Sequence, residues 1–306
     1  MIQVNKLSKQ FGQTIAVDHL CMEVKKGDIV GVLGINGAGK STTIKMLAGF
    51  IKPSSGSIEI NGLNMQKDAI KIKRLIGYLP ETAPSYEEMT VAQFLNFIAQ
   101  VRQLKKQDQK KQLNKIVEQL TLVNVLNQKI ATLSAGFKRK VGLAQALLHD
   151  PEVLILDEPM VGLDPNQKHQ VRQLIQRLSP DKAIIIATNI LEEIITVCNR
   201  IVIINKGQKV FDGTSQQFAL KGSSKNTIVL EFKSKKPDVS HLRLAPGVVD
   251  IIDLGERKIS IVGHESYDNL FPQIFDTVHL QGWDINAIYA EESSMEEIFK
   301  KITVGN

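Results

Sequence analysis

The chain has 306 residues, of which 43% are hydrophobic and 23% are charged, and its formal net charge is +6. This length predicts two domains, and no apolar run approaches the roughly 18 residues that a membrane-spanning helix needs. The first residues lack the apolar core of a signal peptide. Cys21 and Cys198 are too few for a disulfide framework, so we expect buried thiols in a reducing compartment. The positive charge is compatible with nucleic acid, an anionic membrane surface or, most simply, a solvated basic surface.

Residues 2–32 alternate apolar and polar side chains between turn signals, which predicts antiparallel strands. Phe11 precedes Gly12 at one of the predicted turns. An exposed aromatic ring at this place could stack on adenine, whereas a buried ring would only fill the local core. The residues by themselves favour neither interpretation.

The loop 34–42 fits the pattern G-x-x-x-x-G-K-[ST] of phosphate-binding loops. The β-branched run Ile29–Leu33 before it predicts a buried strand, and the apolar spacing after it predicts a helix that starts at Lys40 or Ser41. Glycines let the backbone turn several N–H groups onto phosphate oxygens, and the helix N-terminus adds the positive end of its dipole. We therefore predict nucleoside triphosphate binding, with Lys40 on the β- and γ-phosphates and the Ser41 hydroxyl on Mg²⁺. The residues expected around the phosphates are Asn36, Gly37, Ala38, Gly39, Lys40, Ser41 and Thr42.

The apolar run Val153–Leu156 predicts a second buried strand, and it is followed by Asp157 and Glu158. A third predicted strand, 183–187, leads to Asn189. Because ligands of parallel sheets lie at the carboxyl ends of the strands, we expect these polar side chains to converge on the phosphate loop. Asp157 is suited to reach Mg²⁺ through water, and Glu158 to polarise the attacking water. Alone, the pattern more often marks a core strand that meets a charged loop; behind a phosphate loop, the metal site is favoured.

Helical spacing extends from Thr90 to about Leu126 and again from 138 to 148, and the basic stretch 105–112 is predicted to be a solvated connection. A polar hinge at 222–226 marks our predicted domain boundary. The segment beyond it carries no chemical motif and predicts a small α+β domain. Its predicted elements are strands near 227–232, 248–254, 259–262 and 285–289, a helix over 267–281 and a last helix with a capping box at Ser294.

Together these residues resemble the nucleotide-binding subunit of an ATP-binding-cassette (ABC) transporter over about residues 1–220. The loop 34–42 matches the Walker A motif, and Leu133–Phe137 matches the family signature. Residues 153–158 match Walker B, and Gly162–Pro165 match the D-loop. Motif order and spacing fit the family throughout.

The resemblance implies an α/β fold: a P-loop NTPase core with an antiparallel β subdomain and a helical subdomain, plus a small C-terminal α+β domain. The implied boundaries are 1–221 for the nucleotide-binding domain, with its helical subdomain at about 82–150, and 222–306 for the C-terminal domain. A narrower resemblance is to ATPases of gliding-motility, antibiotic-resistance and sodium-export systems. It implies export through a separate integral-membrane permease, with the chain peripheral on the cytoplasmic face of the membrane.

The resemblance also implies a head-to-tail homodimer with two ATP molecules at its interface. The phosphate loop of one subunit faces the signature of the other, where Ser134, Ala135 and Gly136 meet the γ-phosphate. Asp164 of the D-loop joins this site, and Phe11 occupies the position of the aromatic that stacks on adenine. The groove that receives the coupling helix of the permease is expected near residues 81–90.

Four positions depart from the family pattern. Glu81 replaces a glutamine, although its carboxylate can still bind Mg²⁺ or its water, and Phe137 replaces a polar residue. Ala135 replaces a signature glycine, which costs about 1–2 kcal/mol if its φ is positive and nothing otherwise. Asn189 replaces the switch histidine, which contacts the γ-phosphate and helps to orient Glu158. Asparagine is shorter and cannot become cationic, and a lost donor at such a site typically costs about 10²–10³ in rate.

Two observations suggest alternative functions: Asn189 at the position of the switch histidine, and the positive net charge of the chain. Either Asn189 substitutes adequately for histidine, or turnover is slow and the chain is a degenerate cassette that acts as an ATP-dependent clamp. A soluble cassette that acts on nucleic acid or the ribosome is disfavoured. The segment between Ser41 and Ser134 lacks the sustained heptads of coiled-coil inserts, and the chain holds one cassette where translation-type proteins hold two. We therefore expect no nucleic-acid partner.

Overall fold

The computed structural model describes residues 1–82, 86–220, 227–264, 267, 269–290 and 294–304. The chain divides into two compact units, Met1–Ser215 and Gln216–Asn306. The hinge predicted at 222–226 lies outside the described residues. Within the described ranges, no helix is both long and apolar enough to span a bilayer.

Two sheets form the first unit. Their strands are β1 (Ile2–Phe11), β2 (Thr14–Val24), β3 (Ile29–Leu33), β4 (Ser55–Ile60), β5 (Leu63–Asn64), β6 (Ile76–Leu79), β7 (Val153–Asp157), β8 (Ala183–Thr188), β9 (Arg200–Asn205) and β10 (Gln208–Gly213). The first sheet is antiparallel with the order β2-β1-β4-β5, and the second has the order β10-β9-β3-β8-β7-β6. The predicted antiparallel strands at the start of the chain therefore form a sheet separate from the phosphate-loop strand.

Helices surround the six-stranded sheet and form a helical region between β6 and β7. They are α1 (Lys40–Leu47), α2 (Ala69–Leu75), α3 (Val91–Val101), α4 (Lys106–Gln119), α5 (Ala135–Leu147), α6 (Pro165–Leu178) and α7 (Leu191–Val197). Helix α8 (Ser215–Leu220) follows β10 in the chain and begins at the last residue of the first unit. Helix α1 begins at Lys40, as predicted. The basic stretch 105–112, predicted as a connection, instead forms the first turns of α4. Lysine and glutamine are strong helix formers, and buried Ile116 and Val117 anchor this helix.

The centre of the six-stranded sheet is parallel. Strands β3, β7 and β8 are buried along their whole length, as expected for strands covered on both faces. Leu33 pairs with Thr188, and Asp157 pairs with Ala187. The carboxyl ends of these three strands therefore lie side by side at one edge. Cys198 is buried, but Cys21 is exposed on β2, so the expectation of a buried thiol was wrong there.

The second unit contains an antiparallel sheet with a helix packed on it. Its elements are β11 (Thr227–Phe232), β12 (Val248–Asp253), β13 (Lys258–Gly263), α9 (Leu270–Leu280), β14 (Ile285–Ala290) and α10 (Met295–Val304), and the sheet order is β12-β13-β11-β14. Leu270, Ile274 and Val278 of α9 are buried in the core of this unit, as predicted. The predicted capping box is present, because the Glu297 N–H donates to the Ser294 hydroxyl at 3.2 Å.

Candidate nucleotide-binding site

The phosphate loop needs glycine at two positions because backbone from other strands passes close to it. A Cβ at Gly34 would lie 2.4 Å from the Ile204 carbonyl oxygen, and one at Gly39 would lie 2.3 Å from that of Ala16. Gly39 also has a φ of 106°, in the left-handed region. These contacts hold the loop against β9 and β2 and direct it into helix α1. The close packing of β9 and β2 against the loop therefore requires glycine at both positions.

Lys40 lies at the first position of α1, with its side chain folded back over the loop. Its Nζ donates to the carbonyl oxygens of Gly34 at 2.8 Å and Ile35 at 3.1 Å. Burial lowers the pKa of Lys40, and the negative charges of Glu158, Asp157 and Glu81 oppose this shift. The ammonium group therefore lies near all three predicted carboxylates. Around it Asn36 and Gly37 are exposed, Gly39, Ser41 and Thr42 are half-buried, and Ala38 is buried.

Asp157 ends strand β7 with a buried carboxylate. Its Oδ2 has no hydrogen-bond partner among the described residues. Burial, together with the charges of Glu81 and Glu158, raises the pKa of Asp157 to about 6, although Arg139 and Lys45 act against this shift. A buried carboxylate oxygen without a donor fits a cation, and hard cations such as Mg²⁺ prefer oxygen ligands. The donor set at this place therefore fits magnesium, with Asp157 as its best-placed ligand.

Glu158 is held from two directions by residues at the end of β8. The Thr188 hydroxyl donates to its Oε2 at 2.9 Å, and the Asn189 backbone N–H donates to its Oε1 at 3.1 Å. Burial raises the pKa of Glu158, while these two hydrogen bonds lower it. Position 189 thus orients the carboxylate through its main chain, and the Asn189 residue is otherwise exposed. The contact of position 189 with Glu158 is therefore made by the main chain and needs no histidine side chain.

Phe11 and Glu81 lie at the surface of the first unit. Phe11 is 49% exposed beside the β1–β2 turn, with the Lys9 Nζ 5.0 Å from its ring centroid. The ring is therefore accessible for stacking and is not a buried plug. Glu81 follows β6 and is exposed, and its charge acts on both Lys40 and Asp157.

The signature residues form the start of helix α5. Ser134 is its N-cap and accepts from the Phe137 N–H at 3.4 Å, while its side chain stays exposed. Ala135 is the first helical residue and is not among the residues with positive φ, so its methyl group carries no backbone cost. The N-terminus of this 13-residue helix is exposed, and such a terminus attracts anions.

The signature packs directly on the D-loop. A Cβ at Gly136 would lie 2.7 Å from Gln167 Oε1 and 3.2 Å from the Gly162 carbonyl oxygen, so only glycine fits there without a shift. Asp164 is the exposed N-cap of α6 and accepts from the Gln167 N–H at 2.9 Å. The two motifs therefore form one surface, with Ser134 and Asp164 both exposed on it.

Arg139 is a buried residue of the site that the sequence pattern did not predict. Its guanidinium donates to four carbonyl oxygens: those of Pro80 at 2.9 Å, Glu81 at 2.7 Å, Glu158 at 2.5 Å and Asp157. Arg139 thereby links helix α5 to the ends of β6 and β7. The residues predicted to bind Mg²⁺ and the attacking water, Glu81, Asp157 and Glu158, lie at these strand ends. Carbonyl partners leave no signal in a sequence, so an arginine of this kind looks like an ordinary exposed cation.

Comparison with known proteins agrees with this geometry. The family model described as ABC transporter matches residues 17–161. Over 307 residues the chain is 34% identical to the bacitracin transport ATP-binding protein BcrA of Bacillus licheniformis, which covers 100% of this chain and 98% of the relative. The chain belongs to the family of ABC transporter ATP-binding proteins. The predicted resemblance and fold class are therefore confirmed.

Other members of the ABC family are similar over the first unit. The linearmycin resistance ATP-binding protein LnrL of Bacillus subtilis is 35% identical over 215 residues, which cover 70% of this chain and 69% of the relative. A solved structure of the ATP-binding subunit of an ABC transporter superposes with a TM-score of 0.68 at 30% identity and covers 72% of this chain and 92% of that one. Like its family, this ABC protein is an ATP-binding ATPase.

Proposed function

We propose that this ABC ATPase is the energy-supplying subunit of an exporter, in which two copies close on two ATP molecules and move a separate membrane permease. The observation that carries the proposal is the meeting of three groups at one sheet edge. These are the Lys40 ammonium, the Asp157 carboxylate oxygen that has no partner among the described residues, and the Glu158 carboxylate with its two donors. Phosphate binding, metal binding and water activation would thereby take place side by side.

The residues divide the chemistry between them. Lys40 would exchange the two loop carbonyls for phosphate oxygens, with the loop N–H groups and Thr42 around them. Asp157, Ser41 and Glu81 would hold Mg²⁺, which neutralises phosphate charge when bound. Glu158 would accept a hydrogen bond from the attacking water. Phe11 would stack on adenine.

The second copy would complete the site. Its exposed α5 N-terminus, with Ser134, Ala135 and Gly136, would approach the γ-phosphate, and Asp164 would lie beside it. These contacts form only while the γ-phosphate is present, so hydrolysis removes them. This gives the difference in affinity that a conformational cycle requires.

A groove on the first unit supports coupling to a permease. It has a volume of about 910 Å³ and lies between α1, α2, β6 and the ends of α3 and α5, near the predicted position. Apolar side chains share its lining with Lys45, Lys73, Arg74 and Arg102, and no described residue of the lining is acidic. A helix with both apolar and acidic side chains matches this surface. The names of the two relatives, bacitracin transport and linearmycin resistance, support export.

ATP-dependent dimerisation tests the core of the proposal. With MgATP, Glu158→Gln should bind tightly, fail to hydrolyse and elute as a dimer in size-exclusion chromatography. Lys40→Ala should bind about 10–100-fold more weakly and stay monomeric, because it loses charge-assisted hydrogen bonds of about 1.5–3 kcal/mol. Lys52→Ala, an exposed lysine outside the loop, is the matched control. Unchanged affinity in Lys40→Ala would refute the proposal.

Coupling to the permease has its own test. Tagged protein should capture a polytopic membrane protein from detergent-solubilised membranes of its source cells. A double charge reversal, Arg74→Glu with Arg102→Glu, should abolish capture, whereas reversal of exposed Lys110 on α4 should not. Equal capture by both variants would exclude the groove.

A second candidate function, the slow cassette that acts as an ATP-dependent clamp, is motivated by Asn189. Its amide lacks the charge and reach of a histidine toward the γ-phosphate, although its N–H still holds Glu158. If the missing donor limits turnover, Asn189→His should raise hydrolysis up to about 10²–10³-fold with unchanged ATP affinity. Ordinary wild-type turnover that His does not increase would exclude the clamp.

A further inference from the structure

Behind Glu158 lies a chain of buried polar groups that joins β8, α7 and α6. The Thr188 hydroxyl contacts Glu158 Oε2 at 2.9 Å and lies 3.4 Å from Glu193 Oε2. The second oxygen of that carboxylate, Glu193 Oε1, accepts from the Lys168 Nζ at 2.9 Å. Thr188 is fully buried, and the side chain of Glu193 is 1% exposed. None of these three residues belongs to a motif that the sequence singled out.

The hydrogen bonds leave the threonine little freedom. Its hydroxyl accepts from the Ile190 backbone N–H at 3.2 Å, so its single proton is directed at the carboxylate side. Of the two acceptors, Glu158 is the nearer. Lys168 in turn fixes Glu193, because its side chain is 28% exposed and reaches the buried carboxylate from α6.

A buried carboxylate is a costly element of a fold. Removing an ion from water is unfavourable, and pairing with one ammonium often fails to recover the lost hydration energy. Glu193 is nevertheless placed within reach of the hydroxyl that holds Glu158, on the helix that follows Asn189. This placement has a functional explanation if the carboxylate of Glu158 must be held in one orientation.

We propose that Thr188 and Glu193 are positioning residues for the proposed base Glu158, with Lys168 fixing Glu193. The inference rests on the proposed function, in which Glu158 orients the attacking water. In this chain Thr188 and Glu193, together with the Asn189 backbone N–H, orient the Glu158 carboxylate in place of a histidine side chain. Thr188 acts through its hydroxyl, and Glu193 acts through Thr188.

Single-turnover hydrolysis of MgATP by the full chain, measured beside MgATP affinity, tests this. Thr188→Val removes the hydroxyl with little change in shape and should slow hydrolysis about 10–100-fold, the usual effect of a misplaced reacting group, with affinity within about twofold. Thr188→Ser should restore most of the rate. Glu193→Ala should slow hydrolysis in the same way, and Glu193→Gln, which keeps an acceptor, should slow it less. Glu192→Gln, exposed on the same helix, is the matched control and should behave as wild type.

Three results overturn the inference. The first is a hydrolysis rate within twofold of wild type for both Thr188→Val and Glu193→Ala. The second is an equal loss of hydrolysis rate and MgATP affinity in these variants, which indicates general damage to the fold. The third is an equal hydrolysis rate for Thr188→Val and Thr188→Ser. This comparison also decides the question if Glu193→Ala fails to fold. The variant Glu158→Gln distinguishes failure of this inference from failure of the proposed function. If Glu158→Gln abolishes hydrolysis while Thr188→Val hydrolyses at the wild-type rate, only the inference fails. If Glu158→Gln hydrolyses normally, the proposed base is wrong as well.

Discussion

Replacing Arg139 with methionine tests how the catalytic edge of the sheet is held together. The guanidinium is buried and donates to four carbonyl oxygens at the ends of β6 and β7. Methionine fills much of the same space but offers no donor. The hydrogen bonds to the carbonyls of Pro80, Glu81 and Glu158 are part-buried, so these carbonyls can partly rehydrate, whereas the Asp157 carbonyl is buried and loses its donor.

The magnitude follows from the buried Asp157 carbonyl and from the loss of the one cation that binds all four carbonyls. Each buried acceptor without a donor costs about 1–3 kcal/mol, and removing one partner of a buried charged network costs about 3–5 kcal/mol. Burial of the charged guanidinium is itself unfavourable, as the lowered pKa of Arg139 indicates. Removing this buried charge therefore offsets part of the loss. We expect Arg139→Met to lower the free energy of unfolding by about 4 kcal/mol. For a unit of about 215 residues this is a fall in Tm of about 8–16 °C.

Differential scanning calorimetry of the full chain measures this shift in the transition of the first unit. Lys138→Met, one residue earlier on α5 and half-buried, is the matched control and should shift the Tm by no more than about 2 °C. Arg139→Lys should give an intermediate loss, because an ammonium keeps the charge but cannot serve four carbonyls. If Arg139→Met unfolds at the temperature of the Lys138 variant, the carbonyl contacts do not stabilise this edge.

Two further predictions concern other parts of the first unit. Burial, and then the charge of Arg102, lowers the pKa of His149 to about 4, so the folded state binds this proton less well than the unfolded state and loses stability as pH falls from about 6.5 toward 4. Between pH 7 and pH 5, wild type should lose about 2 kcal/mol more than His149→Gln in urea unfolding, and equal losses would contradict the shift. Gly34→Ala should weaken ATP binding more than tenfold, because its Cβ would meet the Ile204 carbonyl, whereas Gly37→Ala has open space and only the strain of a φ of 81°. Titration calorimetry of both variants with MgATP measures the two losses, and a larger loss for Gly37→Ala would contradict the prediction.

Two features of the first unit depend on packing and backbone conformation that the local sequence does not show. The basic stretch 105–112 was predicted as a connection because its polar residues carry no periodic apolar face. It is helical because propensity and two buried residues further along, Ile116 and Val117, suffice once the helix packs. Ala135 shows the same dependence, since the cost of its methyl group is decided by its helical backbone, which the signature pattern alone leaves open.

Residues that are contiguous in the chain predicted the phosphate loop, because one strand, one turn and one helix start aim N–H groups at a phosphate. That Gly34 and Gly39 are also required by close contact with β9 and β2 was decided by the tertiary structure. The spacing of the two later strands likewise determined that Asp157 and Glu158 would meet this loop. Tertiary structure alone decided how the carboxylates are held. Arg139 binds backbone carbonyls, which every residue has and which therefore leave no pattern in the sequence. Thr188, Glu193 and Lys168 lie on three elements that become neighbours only when the sheet and its helices pack.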